Sequence, residues 1–171
     1  MRIAFYAPLK SPEHPTPSGD RQMARLLIRA LTAGGATVEA ASHLRVYLPA
    51  PSQSQWEDCK QQAKLEVVRI AEAWTSGRVP DLWFCYHPYY KSPDLLGPAL
   101  VRRFGIPYVT AEASYSQRRS DGIWRECQER VASSVSLAAT NFCFTRRDRN
   151  GLAAAIPSAR LRMLPPFIDC S

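Results

Sequence analysis

Short apolar, β-favouring runs alternate with longer stretches of helical periodicity from one end of the chain to the other. Residues 2–7 read as a buried strand, and the Pro-rich stretch 8–18 as a loop. Over residues 20–33, Met23, Leu26, Leu27, Ala30 and Leu31 recur with the spacing of one helix face, and Gly34-Gly35 stops the run. Residues 37–41 predict a short second strand, followed by a loop without regular structure through Pro49, Pro51 and Ser54. A long helix is predicted over 55–74, with Ala63, Val67, Ile70, Ala71 and Trp74 on one face and Gly77 at its end. A strand over 81–86, a helix over 93–104 with Pro near its first turn, and a strand over 106–111 continue the alternation. A helix over 121–138, a strand over 141–145, a short helix over 147–155 and a strand over 160–164 complete it, before Pro165-Pro166 breaks regular structure.

Strands alternating with helices predict parallel βαβ units. The expected fold is therefore α/β: a Rossmann-like three-layer domain with a mostly parallel sheet of about six or seven strands. No internal repeat, low-complexity tract or linker divides the sequence, so residues 1–171 are expected to form a single domain. With 46% hydrophobic and 22% charged residues, the chain has the composition of a globular protein. Its longest apolar stretches fall far short of the roughly 20 residues that cross a bilayer. The N-terminus runs directly into a strand pattern without the features of a signal peptide, which makes a cytoplasmic location the expectation. Cys59, Cys85, Cys127, Cys143 and Cys170 are odd in number and lack CxxC spacing, so reduced thiols are expected. Trp56, Trp74, Trp83 and Trp124 are assigned to packing.

The net charge of +7 admits an acidic partner: nucleic acid, anionic lipid headgroups or the phosphates of a nucleotide. Its basic clusters, Arg118-Arg119 and Arg146-Arg147 with Arg149, fall where the chain leaves predicted strands. They are read equally as a functional basic face or as solvated charge.

In an open α/β sheet, ligands bind beyond the carboxyl ends of the strands, which directs attention to the loops at 8–19, 42–54, 87–92 and 112–120 and to the turn at Arg146. The first loop closes with Ser18-Gly19-Asp20 at a helix start. Its backbone N–H groups can receive an anion, or Ser18 or Asp20 can cap the helix while Gly19 makes the turn; the cap is favoured, and the two roles are compatible. His87-Pro88-Tyr89-Tyr90-Lys91 offers an imidazole for acid/base or hydrogen-bonding work, two rings for stacking on a sugar and an ammonium for an anion. The competing role is a capped strand end with tyrosines covering the core. Glu112, followed by Ser114 and Tyr115, offers a carboxylate for sugar hydroxyls or, equally, a solvated or Arg-paired acid. The dinucleotide fingerprint GxGxxG, the P-loop GxxxxGK[ST] and the hydrolase motif GxSxG are absent. His14 and His43 are isolated, and neither a metal site nor a cofactor is expected.

The opening Met1-Arg2-Ile3-Ala4-Phe5-Tyr6 with its loop to Ser18-Gly19-Asp20, the blocks Asp81-Leu82-Trp83-Phe84-Cys85-Tyr86-His87 and Gly105-Ile106-Pro107-Tyr108-Val109, and the closing Arg162-Met163-Leu164-Pro165-Pro166-Phe167-Ile168-Asp169 together resemble glycosyltransferase family 4, the retaining GT-B-fold enzymes. The resemblance covers nearly the whole chain through short motifs. It implies the N-terminal, acceptor-side domain of a retaining hexosyltransferase that uses a nucleotide sugar, with the donor held by a C-terminal domain expected to begin where this sequence stops. It implies that Ser18 and Gly19 approach the donor diphosphate, although many members carry paired glycines there. Many members also carry a histidine where this chain has Glu112-Ala113-Ser114. The expected acceptor residues are His87, Tyr89, Tyr90, Lys91, Glu112 and Tyr115. The acceptor is of unknown class, contact with the inner face of a membrane is allowed, and the chain alone is expected to be inactive. The rival expectation is a non-catalytic Rossmann-like binding or interaction domain; a nucleic-acid binder is a weaker third.

Overall fold

Apolar residues on consecutive rather than alternate positions mark strands covered on both faces. In β1 (Arg2–Tyr6) and β3 (Leu82–Tyr86) every residue after the first is buried. The computed structural model describes residues 1–119, 121–165 and 167; Ser120, Pro166, Ile168, Asp169, Cys170 and Ser171 lie outside the described residues. Between these strands run α1 (Gly19–Ala33), β2 (Thr37–Ala40) and α2 (Gln53–Ser76). After β3 come α3 (Gly97–Phe104), β4 (Tyr108–Ala111), α4 (Gly122–Leu137), β5 (Thr140–Cys143), α5 (Arg146–Ala155) and β6 (Leu161–Met163).

The six strands form one sheet in the order β2-β1-β3-β4-β5-β6. Every neighbouring pair is parallel, so the expected mostly parallel sheet is parallel throughout. Alternate residues of each central strand serve opposite layers. Tyr6, Trp83, Cys85 and Tyr108 pack against Ile70 and Ala71 of α2 and Leu100 of α3. Ile3, Phe5 and Phe84 pack against Ala24 and Leu27 of α1, with Phe5 stacked on Phe84 at 5.6 Å. Val131, Val135, Cys143 and Leu152 join α4, β5 and α5. Each fully buried large side chain contributes about 1.5–3 kcal/mol of transfer free energy, which is what holds the layers together.

Two helix starts lie two or more residues from the sequence expectation. The Ser52 hydroxyl accepts from the Gln55 N–H at 3.4 Å and so opens α2 at Gln53 instead of residue 55. The helix expected from residue 93 begins at Gly97, because Asp94 is buried and draws residues 94–96 around its carboxylate. Asp94 Oδ1 accepts from the Leu96 and Gly97 N–H groups at 2.9 and 2.8 Å. Its Oδ2 accepts from Trp83 Nε1 and the Tyr108 hydroxyl, both at 2.9 Å. The proline of the first turn is thus Pro98, and Gly97 is there because a Cβ would stand 2.4 Å from Trp83 Nε1.

The segment 42–52 has no regular structure, as expected, yet it is packed: Val46 and Leu48 are fully buried. The Val46 N–H donates to Pro8 O at 2.9 Å and the Leu48 N–H to Lys91 O at 2.8 Å, so the segment is laced to the loops after β1 and β3. Cys59, Cys85, Cys127 and Cys143 are free thiols. Trp56 and Trp83 are wholly buried and Trp124 nearly so, while Trp74 packs at the core margin. Among the described residues no helix is long and apolar enough to cross a membrane.

Candidate functional site

Sheet order determines where a crevice opens. β1 lies between β2 and β3, so the connections leaving β1 and β3 diverge and their carboxyl ends border the topological switch point. Tyr86 pairs with Ala111, which sets the residues that follow, His87 and Glu112, level with each other on this rim. The His87 N–H donates the last ladder bond to Ala111 O at 2.8 Å, and the Glu112 N–H donates to Phe142 O at 2.8 Å. Both then turn sharply, with φ of 58° and 59°. Among the described residues these are the two non-glycine positions with positive φ. Such a conformation costs about 1–3 kcal/mol at each, and strain of this kind gathers at functional sites.

His87 Nδ1 lies 2.8 Å from Asp20 Oδ1, joining the end of β3 to the first turn of α1 across the switch point. The His87 hydrogen bond holds the Asp20 carboxyl below its ordinary range, against the opposing effect of partial burial. An ionised carboxylate only accepts, so Nδ1 carries the proton in this contact. In the neutral ring Nε2 is then left as an acceptor, and among the described residues nothing occupies it.

Rings continue along the rim from His87. Tyr89 stacks on the imidazole at 5.0 Å with planes 19° apart, Tyr90 meets Tyr89 edge-on at 5.6 Å, and Trp124 meets Tyr90 edge-on at 5.0 Å. Burial, with nearby Tyr47, pushes the Tyr89 hydroxyl up to about 12. Burial and the neighbouring Glu112 carboxylate push the Tyr86 hydroxyl far up, so it stays a neutral donor beside that acid. Lys91 points Nζ at Pro49 O, 3.0 Å away, and so braces the 42–52 segment. Tyr115 stands farther along the rim, where it lines a crevice with Tyr90, Arg118, Arg119 and Arg147.

Ser18 caps α1, its hydroxyl accepting from the Arg21 N–H at 3.2 Å. Gly19 does not need glycine's freedom: its φ is not positive, and a Cβ there would meet nothing within 4 Å. Beside the pair lies a hollow of about 640 Å³ lined by Pro17, Ser18, Arg21, Gln22 and Arg25. Among the described residues no three His, Cys, Asp or Glu side chains gather as metal ligands. His43 sits against Ser11 and Glu13, at 2.9 and 3.4 Å.

The structure therefore brings His87, Tyr89, Tyr90 and Glu112 to one rim, and puts Lys91 to bracing and Ser18 to capping. Sequence reasoning missed Asp20 as the imidazole's partner, since the pair is 67 positions apart in sequence. It also missed Tyr86 beside Glu112; the only signal available was its place as the last apolar residue of a strand. Neither a scan against protein-family models nor a search of curated proteins finds a match to this chain.

Proposed function

We propose that this chain is the acceptor-binding domain of a nucleotide-sugar-dependent glycosyltransferase of the retaining hexosyltransferase type, acting with a second domain that holds the donor. The observation that carries the reading is the His87–Asp20 pair, set at the switch point with Nε2 unoccupied and Glu112 level with it. A sugar or polyol presents hydroxyls, which donate to Nε2 and to the Glu112 carboxylate, and an apolar ring face, which suits the rim tyrosines. The hollow at Ser18, bordered by Arg21 and Arg25, faces a donor diphosphate in this reading. Developing charge on that diphosphate needs preorganised donors from the second domain, so the chain alone transfers no sugar.

Saturation-transfer NMR against a panel of sugars and polyols tests the reading. A member of the panel is expected to bind, and His87→Ala and Glu112→Ala are each expected to weaken it by about tenfold. Unchanged affinity in both variants overturns the site assignment. Robust turnover of any nucleotide sugar by the purified chain overturns its inactivity.

A second reading, a non-catalytic interaction domain, has one observation in its favour. A groove of about 330 Å³ lined by Ala63, Val67, Val68, Leu95 and Ala99 lies beside Leu65, which is 73% exposed. That reading expects no sugar from the panel to bind.

A further inference from the structure

Several cations on this surface meet a carboxylate: Arg2 meets Glu39 at 3.1 Å, Lys60 meets Glu57 at 2.8 Å and Arg69 meets Glu66 at 2.7 Å. Three that share one crevice do not. Arg118 and Arg119, from the segment after β4, and Arg147, from the first turn of α5, line an open crevice of about 890 Å³ with Tyr90, Tyr115 and Asn150. None of the three enters an ion pair with a described residue, and no described Asp or Glu lines the crevice. The acid nearest in the chain, Asp148, is turned away into the cap of α5, where its N–H donates to Thr145 Oγ1 at 3.1 Å and its carboxylate accepts from the same hydroxyl. Arg119 also lies over the Tyr90 ring at 5.6 Å, which gives one guanidinium a fixed platform. Like charges gathered without counter-charge repel, and an anion that bridges them relieves that repulsion.

We propose that the acceptor carries a phosphomonoester and that Arg118, Arg119 and Arg147 bind it; the inference rests on the acceptor reading above. A phosphomonoester brings about −1.5 to −2 charge at pH 7 and three acceptor oxygens, which guanidinium forks match better than a single ammonium does. The phenols of Tyr90 and Tyr115 and the Asn150 amide supply ring contact and hydrogen bonds for the body that carries the phosphate. That body has a route to the imidazole. Tyr90 contacts Tyr89, and Tyr89 contacts His87, with ring centroids 5.6 and 5.0 Å apart, so a ligand anchored at the arginines runs along the rim toward Nε2. A nucleic-acid backbone asks instead for a continuous basic strip, and this site is a single concavity.

A soluble sugar phosphate and a phosphorylated lipid headgroup present the same chemistry. Calorimetry on the chain therefore compares glucose 6-phosphate and inositol 1-phosphate with glucose, inositol and inorganic phosphate. Sedimentation with phosphatidylcholine vesicles, with and without phosphatidylinositol 4-phosphate, forms the second arm. At least one phosphorylated ligand is expected to bind about tenfold or more tightly than its unphosphorylated parent. The combined variant Arg118→Ala, Arg119→Ala, Arg147→Ala is expected to abolish that advantage, and Arg78→Ala, on the opposite rim, to leave it unchanged. Binding confined to the phosphoinositide vesicles supports the site and assigns the phosphate to a lipid.

The proposal is overturned if phosphate confers no advantage in either arm or if the advantage survives the triple variant. It is also overturned if inorganic phosphate competes as well as the best sugar phosphate, or if an oligonucleotide displaces every ligand at lower concentration. A sugar phosphate held by the arginines yet indifferent to His87→Ala and Glu112→Ala keeps the arginine site and removes the acceptor reading. An unphosphorylated sugar that depends on His87 and gains nothing from phosphate does the reverse.

Discussion

Asp20 carries two roles at the scale of a single residue: it places a carboxylate in the first turn of α1, and it fixes the His87 ring at 2.8 Å. Its folded pKa lies below the ordinary carboxylate value, and the His87 hydrogen bond is the largest cause. The stability this supplies is complete above the ordinary pKa and is lost as pH falls through the lowered one. Urea denaturation as a function of pH is expected to show wild type ahead of Asp20→Asn at neutral pH, with the gap closing in that acid window. A gap that persists at the lowest pH counts against the assignment. Glu112 makes a second case, because its φ of 59° favours glycine. Glu112→Gly is expected to leave stability unchanged or raise it by about 1 kcal/mol while weakening acceptor binding, the trade expected of a strained functional residue. Of this local design, His87 and Glu112 were legible as polar residues ending apolar strands. Their strain was not, since nothing in a histidine or glutamate codon position announces a positive φ. The Asp20 partnership was hidden because only the folded sheet brings the two loops together.

At the scale of elements, Asp94 shows how a buried acid can shift a helix boundary that periodicity alone misplaces. Its carboxylate gathers four donors from β3, β4 and the start of α3. Asp94→Ala leaves those donors buried without a partner, and a loss of about 3 kcal/mol or more is expected in chemical denaturation. Gly97→Ala is expected to destabilise as well, through the contact its Cβ would force on Trp83. The sequence reading placed Pro93 in the first turn because Pro before a helical pattern is a sound signal; Pro98 has the same property and is the one used. On α4, burial pushes the Cys127 thiol up to about 12. Maleimide at pH 7 is accordingly expected to label Cys127 only after denaturant is added, as mapped by peptide mass.

At the scale of the whole molecule, the βα alternation was legible throughout, because parallel strands buried on both faces read as apolar runs and the helices between them as periodic stripes. Strand order is a property of packing and not of any one segment, so the switch point between β1 and β3 emerged only with the sheet. The arginine crevice was half visible. Both of its basic clusters stand out in the sequence, but whether residues 118–119 face residue 147 depends on how β4 and β5 lie side by side.

The row of rings along the rim ends on an indole, and that gives the site a built-in optical probe. Trp124 is in edge contact with Tyr90, which also carries the Arg119 guanidinium over its ring, while Trp56 and Trp83 are sealed in the interior. An anion that engages Arg119 over the Tyr90 face changes the field around Trp124 more than around the sealed pair. Tryptophan emission is therefore expected to shift on ligand addition and to lose that shift in Trp124→Phe, so occupancy of the rim can be followed without a label on protein or ligand.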